Sequence, residues 1–302
     1  MAWEGILAAL FSAALLGGAP ILAKLAYRAG ADPAAVVILR TGLAALTLWG
    51  IYLVHPRWRR YLYIYPVGLL AAMAVGFTNA LGSVFYYLGL YRLDAAVAHL
   101  IYAMYPVLVT VITHLNGEAV SRLTRLRVLL AVLGVVLLLG RPQGLPDLMG
   151  ALLVLLGSGC YALHVVLSQR ALYEMPPQTL ALYALTAMAA FAPVAGWALG
   201  GGQPRVTDGA LAPIFGMALV LMLSRLGLFL GVQRLGSLQT VLLTITEILV
   251  TVALAVGGLG ERLSPVQWTG ALLMIASVLL LARDAPATPA PRWRTPLLPP
   301  AD

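Results

Sequence analysis

Long apolar runs alternate along the chain with short breaks that hold Lys, Arg, Pro or Gly. The runs cover 5–26, 33–54, 62–89, 95–114, 124–140, 146–169, 177–199, 210–232, 237–258 and 265–282. Most approach twenty residues, the length a helix needs to cross ~30 Å of hydrocarbon at ~1.5 Å per residue. The pattern predicts an all-α polytopic membrane protein with ten transmembrane helices. The fifth run is the shortest in apolar content, because Arg125 and Arg127 intrude and leave Val128 to Gly140. Ser264-Pro265-Val266-Gln267 reads as a helix start, with Ser as N-cap, Pro in the first turn and Gln three residues after the cap. Ser121 offers the same cap to the fifth run.

The pattern also repeats. Arg92-Leu93 opens a run that closes in Gly117-Glu118-Ala119-Val120-Ser121, and Arg234-Leu235 opens one that closes in Gly260-Glu261-Arg262-Leu263-Ser264. Gly5 to Gly30 can likewise be laid on Gly150 to Met175. The expected organisation is a first repeat over 1–144, a second over 145–284, and a proline-rich, disordered tail over 285–302. Five helices per repeat is an odd number, so the two copies insert in opposite orientations, the inverted-repeat plan of many secondary transporters. Eleven basic residues fall on the side of the termini (Arg57, Arg59, Arg60, Arg122, Arg125, Arg127, Arg170, Arg234, Arg283, Arg292, Arg294). Six fall on the other (Lys24, Arg28, Arg92, Arg141, Arg205, Arg262). The imbalance places both termini in the cytoplasm of a cell bounded by a plasma or bacterial inner membrane.

Composition narrows the function classes. Apolar residues make up 61% of the chain and charged ones 10%, which excludes a soluble domain of this length. The net charge of +8 sits in the connections between runs, where it sets topology, so nucleic acid is not an expected partner. Cys160 is the single cysteine and lies within an apolar run, leaving no internal disulfide or cysteine-based metal site. The N-terminus lacks a basic leader, and the first run is long enough to span rather than be cleaved. Gly157-Ser158-Gly159 lacks the nucleophile-elbow frame, and no paired carboxylates, His-x-x-x-His or phosphate-cradling loop appear. No enzyme activity, cofactor or metal is therefore expected.

Candidate chemistry lies in polar stripes inside the runs. Glu247 is near the middle of its run, and Thr240, Thr244, Glu247 and Thr251 recur at helical spacing on one face. A charge at that depth costs roughly 2.5–3.5 kcal/mol on insertion scales, so it is expected to face protein or a water-filled cavity. The fourth run carries His99, Tyr102, Pro106, Thr110 and Thr113. The third carries Thr78, Asn79, Ser83, Tyr86 and Tyr87, the sixth Tyr161, His164 and Ser168, and the eighth Ser224 and Arg225. Tyr102 and Tyr105 are the repeat equivalents of Thr244 and Glu247. The predicted cavity wall comprises Asn79, Ser83, Tyr86, His99, Tyr102, Tyr105, Tyr161, Arg225, Thr244 and Glu247. The alternative is a set of helix interfaces tied by Tyr and Thr hydrogen bonds. Arg225 and Glu247 suggest a buried ion pair. Arg40 and Lys24 read as topological anchors, His164 and His114 as packing groups. Tyr27, Tyr52, Tyr61, Tyr63, Trp49, Trp58 and Trp268 read as an interfacial belt.

On the residues from Arg92-Leu93 through Tyr105-Pro106 to Gly117-Glu118, and from Arg234-Leu235 through Glu247 to Gly260-Glu261-Arg262-Leu263, the sequence resembles the EamA domain family of the drug/metabolite transporter superfamily. Leu39-Arg40-Thr41-Gly42-Leu43-Ala44 resembles that family's second-helix arginine segment. The second copy departs from the family pattern by placing Ile248 where a proline follows the intramembrane Glu; the first copy keeps Pro106. The resemblance implies ten helices and export of small metabolites, often amino acids or related compounds. Together with the stripes, it leads to an expected secondary transporter of a small amphipathic solute, working by alternating access and with a proton as candidate coupling ion. A carrier of an anionic or lipid-linked metabolite is the alternative within transport. An intramembrane enzyme or non-transporting scaffold is the alternative of another class. Apart from the lipid bilayer and a small-molecule substrate no partner is indicated, and the oligomeric state is open.

Topology is directly testable. Reporter fusions after Arg60 and Arg127 are expected to read cytoplasm, and fusions after Asp147 and Asp208 the opposite side. A C-terminus on the outside would remove the inverted-repeat plan.

Overall fold

A computed structural model describes residues 2–115, 122–139, 147–200, 204–235, 240 and 244–280. The Gly117-to-Ser121 repeat end, with the Ser121 cap, and the proline-rich tail lie outside them. The helices are α1 (Ala2–Arg28), α2 (Pro33–Val54), α3 (Pro66–Arg92), α4 (Ala95–Tyr102), α5 (Tyr105–Leu115), α6 (Arg122–Leu138), α7 (Leu148–Ala171), α8 (Pro177–Gly200), α9 (Asp208–Leu235), α10 (Thr244–Gly258) and α11 (Pro265–Leu279). Among the described residues there is no strand. The third run starts later than predicted: Arg59–Leu62 forms a 3₁₀ turn, and the helix begins at Pro66, which sits at its first turn without needing an N–H.

The helix starts follow local chemistry. Asp32 caps α2 by accepting the Ala35 N–H at 2.6 Å, and Asp147 caps α7 by accepting that of Gly150 at 2.8 Å. At α11 the Ser264 N–H donates to Gln267 Oε1 at 2.9 Å and the Gln267 N–H donates to Ser264 Oγ at 3.2 Å, the reciprocal box that the sequence predicts. The fourth run is broken into α4 and α5 by a turn at Ala103 and Met104. Pro106 has no N–H to offer the Tyr102 carbonyl one turn earlier. Ser158 of α7 satisfies that carbonyl instead, donating from Oγ at 2.9 Å. In the second copy, where Ile248 stands in place of proline, α10 runs from Thr244 through that position to Gly258.

Six helices are long and apolar enough to cross a membrane: Trp3–Arg28, Pro33–Val54, Pro66–Arg92, Leu148–Ala171, Pro177–Ala198 and Asp208–Leu235. Shorter apolar helices cover Ala95–Val109, Val128–Leu138 and Thr246–Gly258. The chain is a multi-pass membrane protein. Its outer surface carries Phe11, Leu46, Leu70, Val136, Leu152 and Leu272 exposed, as lipid contact requires. The predicted aromatic belt is in part interior: Tyr52 is fully buried, its ring tilted against that of Trp58 and its hydroxyl donating to the Gln178 carbonyl.

The helices interleave across the chain. α1 packs on α9 and α10, and α7 packs on α3, α4 and α5. α2 meets α8 and α9, α3 meets α8, and α6 lies against α11. With no hydrophobic driving force between helices in lipid, such crossings depend on small residues that let backbones approach. A Cβ added at Gly17 of α1 would lie 2.7 Å from the Glu247 carbonyl and 2.8 Å from Val250 Cβ of α10. At the same crossing Thr251 Oγ1 donates to the Gly17 carbonyl at 2.8 Å. Gly17 thus sets how close α10, and the acid it carries, can come to α1. Gly17→Ala is expected to lower stability by about 1–3 kcal/mol through overpacking. Gly18→Ala, whose Cβ meets nothing within 4 Å, is expected to be neutral. Equal melting temperatures for the two variants would contradict this account of the crossing.

Candidate functional site

A cavity lies where α1, α2, α3, α4, α7, α9 and α10 converge. It is lined by Leu16 and Pro20 of α1, Arg40 of α2, Asn79, Ser83, Tyr86 and Tyr87 of α3, His99 and Tyr102 of α4, Tyr161 of α7, Arg225 of α9 and Glu247 of α10, among others. Its volume of about 40 Å³ is room for a few water molecules at roughly 10–15 Å³ each.

Of the ten predicted wall residues, the structure brings together Asn79, Ser83, Tyr86, His99, Tyr102, Tyr161, Arg225 and Glu247. Tyr105 stands just behind the wall, edge-on to Tyr161 with ring centroids 4.8 Å apart. The side chain of Thr244 lies outside the described residues, as do those of Thr110, Thr113 and His114. Thr78 turns back on its own helix and donates to the Ala74 carbonyl at 2.9 Å.

The suggested Glu247–Arg225 ion pair is not formed. Glu247 Oε1 lies 3.3 Å from His99 Nε2, and the hydroxyl of Tyr86 lies 3.2 Å from His99 Nδ1. One tautomer satisfies all three groups: Tyr86 donates to Nδ1, and Nε2–H donates to Glu247, an assignment that follows from the network. Arg225 turns the other way. Its Nη1 is 2.9 Å from His164 Nε2 and its Nη2 donates to Asn79 Oδ1 at 3.3 Å, while the guanidinium lies 5.4 Å from the Tyr161 ring centroid. The reason is packing: α10 lies against α4, which presents His99, whereas Arg225 on α9 reaches the side where α3 and α7 meet. His164, read from sequence as a packing group, holds the guanidinium in place and itself contacts the Val75 carbonyl through Nδ1 at 3.0 Å.

The rings of Tyr86, Tyr102 and Tyr161 run along the cavity wall with successive centroids 4.6 and 5.4 Å apart. Such a wall offers apolar faces to a solute and hydroxyls for orientation. Pro20 has no N–H for the Leu16 carbonyl, and both residues line the cavity. Sequence reasoning missed Arg40 and Tyr87 as wall residues. Arg40 is only 4% exposed, so it is a buried cation and not a surface anchor. The signal was the same as for Glu247, a lone charge in an apolar run, but its position two turns into the helix suggested that it could reach the interface.

These contacts order the energetic couplings. In a double-mutant cycle on SDS- or denaturant-induced unfolding in micelles, His99→Asn and Glu247→Gln are expected to couple by about 0.5–3 kcal/mol. Arg225→Met with Glu247→Gln is expected to couple less. A larger coupling for the second pair would restore the Glu247–Arg225 bridge as the dominant contact.

Comparison with known proteins agrees with this architecture. The chain is 27% identical over 263 residues to an uncharacterized transporter of Bacillus subtilis (strain 168), YcbK, with 82% of each chain covered. It also shares its fold with a protein of known crystal structure at a TM-score of 0.64 and 18% identity, over 93% of this chain and 98% of that one. The model of the EamA-like transporter family matches twice, over residues 3–140 and 148–283. Two matches that together take in nearly the whole sequence make this chain a member of the EamA-like transporter family.

Proposed function

We propose that this membrane transporter is a secondary exporter of a small amphipathic metabolite, an amino acid or related compound, working by alternating access. The single observation that carries the reading is the cavity walled by tyrosines, a histidine and charged groups drawn from both matched segments. In this reading ten helices form two inverted repeats. The packing supports that plan, because exchanging each helix for its repeat equivalent maps one contact onto another. The contact of α1 with α9 answers to that of α7 with α3, α1 with α10 to α7 with α4 and α5, and α2 with α9 to α8 with α3. The α2–α8 and α6–α11 contacts map onto themselves.

The size of the cavity supports a moving mechanism. Sites that enclose small solutes run to roughly 300–1,000 Å³, so at about 40 Å³ the helices must part before a metabolite fits. Contacts between the matched segments lie towards both ends of the bundle. At one end Glu261 accepts the Ala95 and Ala96 N–H groups at 2.7 and 2.9 Å, and Arg28 donates to the Leu259 carbonyl at 3.3 Å. At the other, Thr179 donates to the Tyr61 carbonyl at 3.0 Å and Glu4 faces Arg234 at 3.6 Å. Alternate release of these two sets would open the cavity to one side at a time, with Glu247 as the group a coupling proton or the solute engages.

Counterflow in proteoliposomes against a panel of amino acids and related metabolites tests the reading. At least one solute is expected to be taken up, and Glu247→Gln is expected to slow it by about tenfold or more, equivalent to about 1.4 kcal/mol of barrier, with assembly near normal. A protein that moves none of the panel, or a Glu247→Gln variant with full transport, would remove this mechanism.

A further inference from the structure

We propose that Arg40 is the anion-recognition residue of the cavity, and that the solute it takes carries a carboxylate. This rests on the transport reading of the same cavity. The guanidinium carbon of Arg40 sits 4.3 Å from the centroid of the Tyr87 ring. A contact of that kind uses the flat face of the guanidinium and leaves its N–H edges free for an acceptor. No described residue supplies one to Nε, which is fully buried. Arg225 Nε is likewise buried without an acceptor among the described residues, but His164 and Asn79 already occupy its two terminal nitrogens.

Charge counting points the same way. The cavity wall holds two guanidinium groups, Arg40 and Arg225, and one carboxylate, Glu247, which already contacts His99. Two cations against at most one anion leave Arg40 without a counterpart among the wall residues. A buried cation without a partner destabilises a fold, and an anion delivered by a ligand relieves that cost. The planar fork of arginine fits the two oxygens of a carboxylate, while the neighbouring tyrosine faces suit an apolar or aromatic body.

Thermal unfolding of the purified full chain with matched probes tests this. N-acetyl-L-phenylalanine is expected to raise the melting temperature of the wild type, and its uncharged amide is not. Arg40→Met is expected to lose the response to the acid and, without ligand, to melt at or above the wild type because an unpaired buried charge is gone. Arg40→Lys keeps the charge but loses the fork, and is expected to need about tenfold more probe. The proposal is overturned by a wild type that ignores the acid, by an amide as effective as the acid, or by an Arg40→Met variant that keeps the response or melts well below the wild type. Chloride or inorganic phosphate reproducing the shift would overturn it too, by assigning Arg40 to a bound counter-ion. Counterflow with the same two probes separates the two readings. Movement of amide and acid alike keeps transport and removes the carboxylate rule, whereas an acid-specific, Arg40-dependent shift without movement of any solute keeps the site and removes transport.

Discussion

A charge inside hydrocarbon is tolerated only where protein or water replaces the lost hydration, and that constraint organises this bundle. Arg40, Arg225 and Glu247 are each at most 5% exposed, and each meets its surroundings differently. Among the described residues Glu247 finds a histidine, Arg225 finds a histidine and an asparagine, and Arg40 finds the face of a tyrosine. Helix crossings bring these groups to one place, and the crossings in turn depend on small residues such as Gly17. The cavity is thus a consequence of close packing around charges that lipid cannot accept.

The two matched segments bring different residues to the α4–α10 contact. In the first, Pro106 interrupts the helix and leaves a carbonyl that Ser158 satisfies from another helix. In the second, α10 keeps its hydrogen-bond ladder through Ile248 and carries the acid instead. One half contributes α4 with a histidine, the other α10 with a carboxylate, and His99 and Glu247 join them across the cavity. Among the described residues that contact is the side-chain tie between α4 and α10. Movement of either helix must break or carry that contact.

Shorter helices qualify the picture drawn from hydropathy. In α6 the first turns hold Arg122, Arg125 and Arg127, so its apolar part runs only from Val128 to Leu138, roughly 16 Å at ~1.5 Å per residue. It is completed by its neighbour: Gln267 of α11 donates to the Leu138 carbonyl at 3.2 Å, and a Cβ at Gly134 would lie 3.0 Å from the Gly270 carbonyl. Close backbone contact of this kind lets two short helices act as one unit at the edge of the bundle.

Much of this was legible in the chain itself. Apolar runs of bilayer length require helices whatever their neighbours, because backbone polar groups in lipid must be satisfied within the segment. Local signals such as Asp32, Asp147 and the Ser264–Gln267 box act within one turn, so they too could be read directly. The stripes located eight wall residues, since spacing along a helix determines which side chains share a face. Partner choice was beyond that reading. Whether Glu247 meets Arg225 or His99, and whether Arg40 reaches the interface or turns inward beneath Tyr87, depends on the rotation and crossing of helices distant in sequence. Those follow from close backbone packing between segments, and only the tertiary structure decided them.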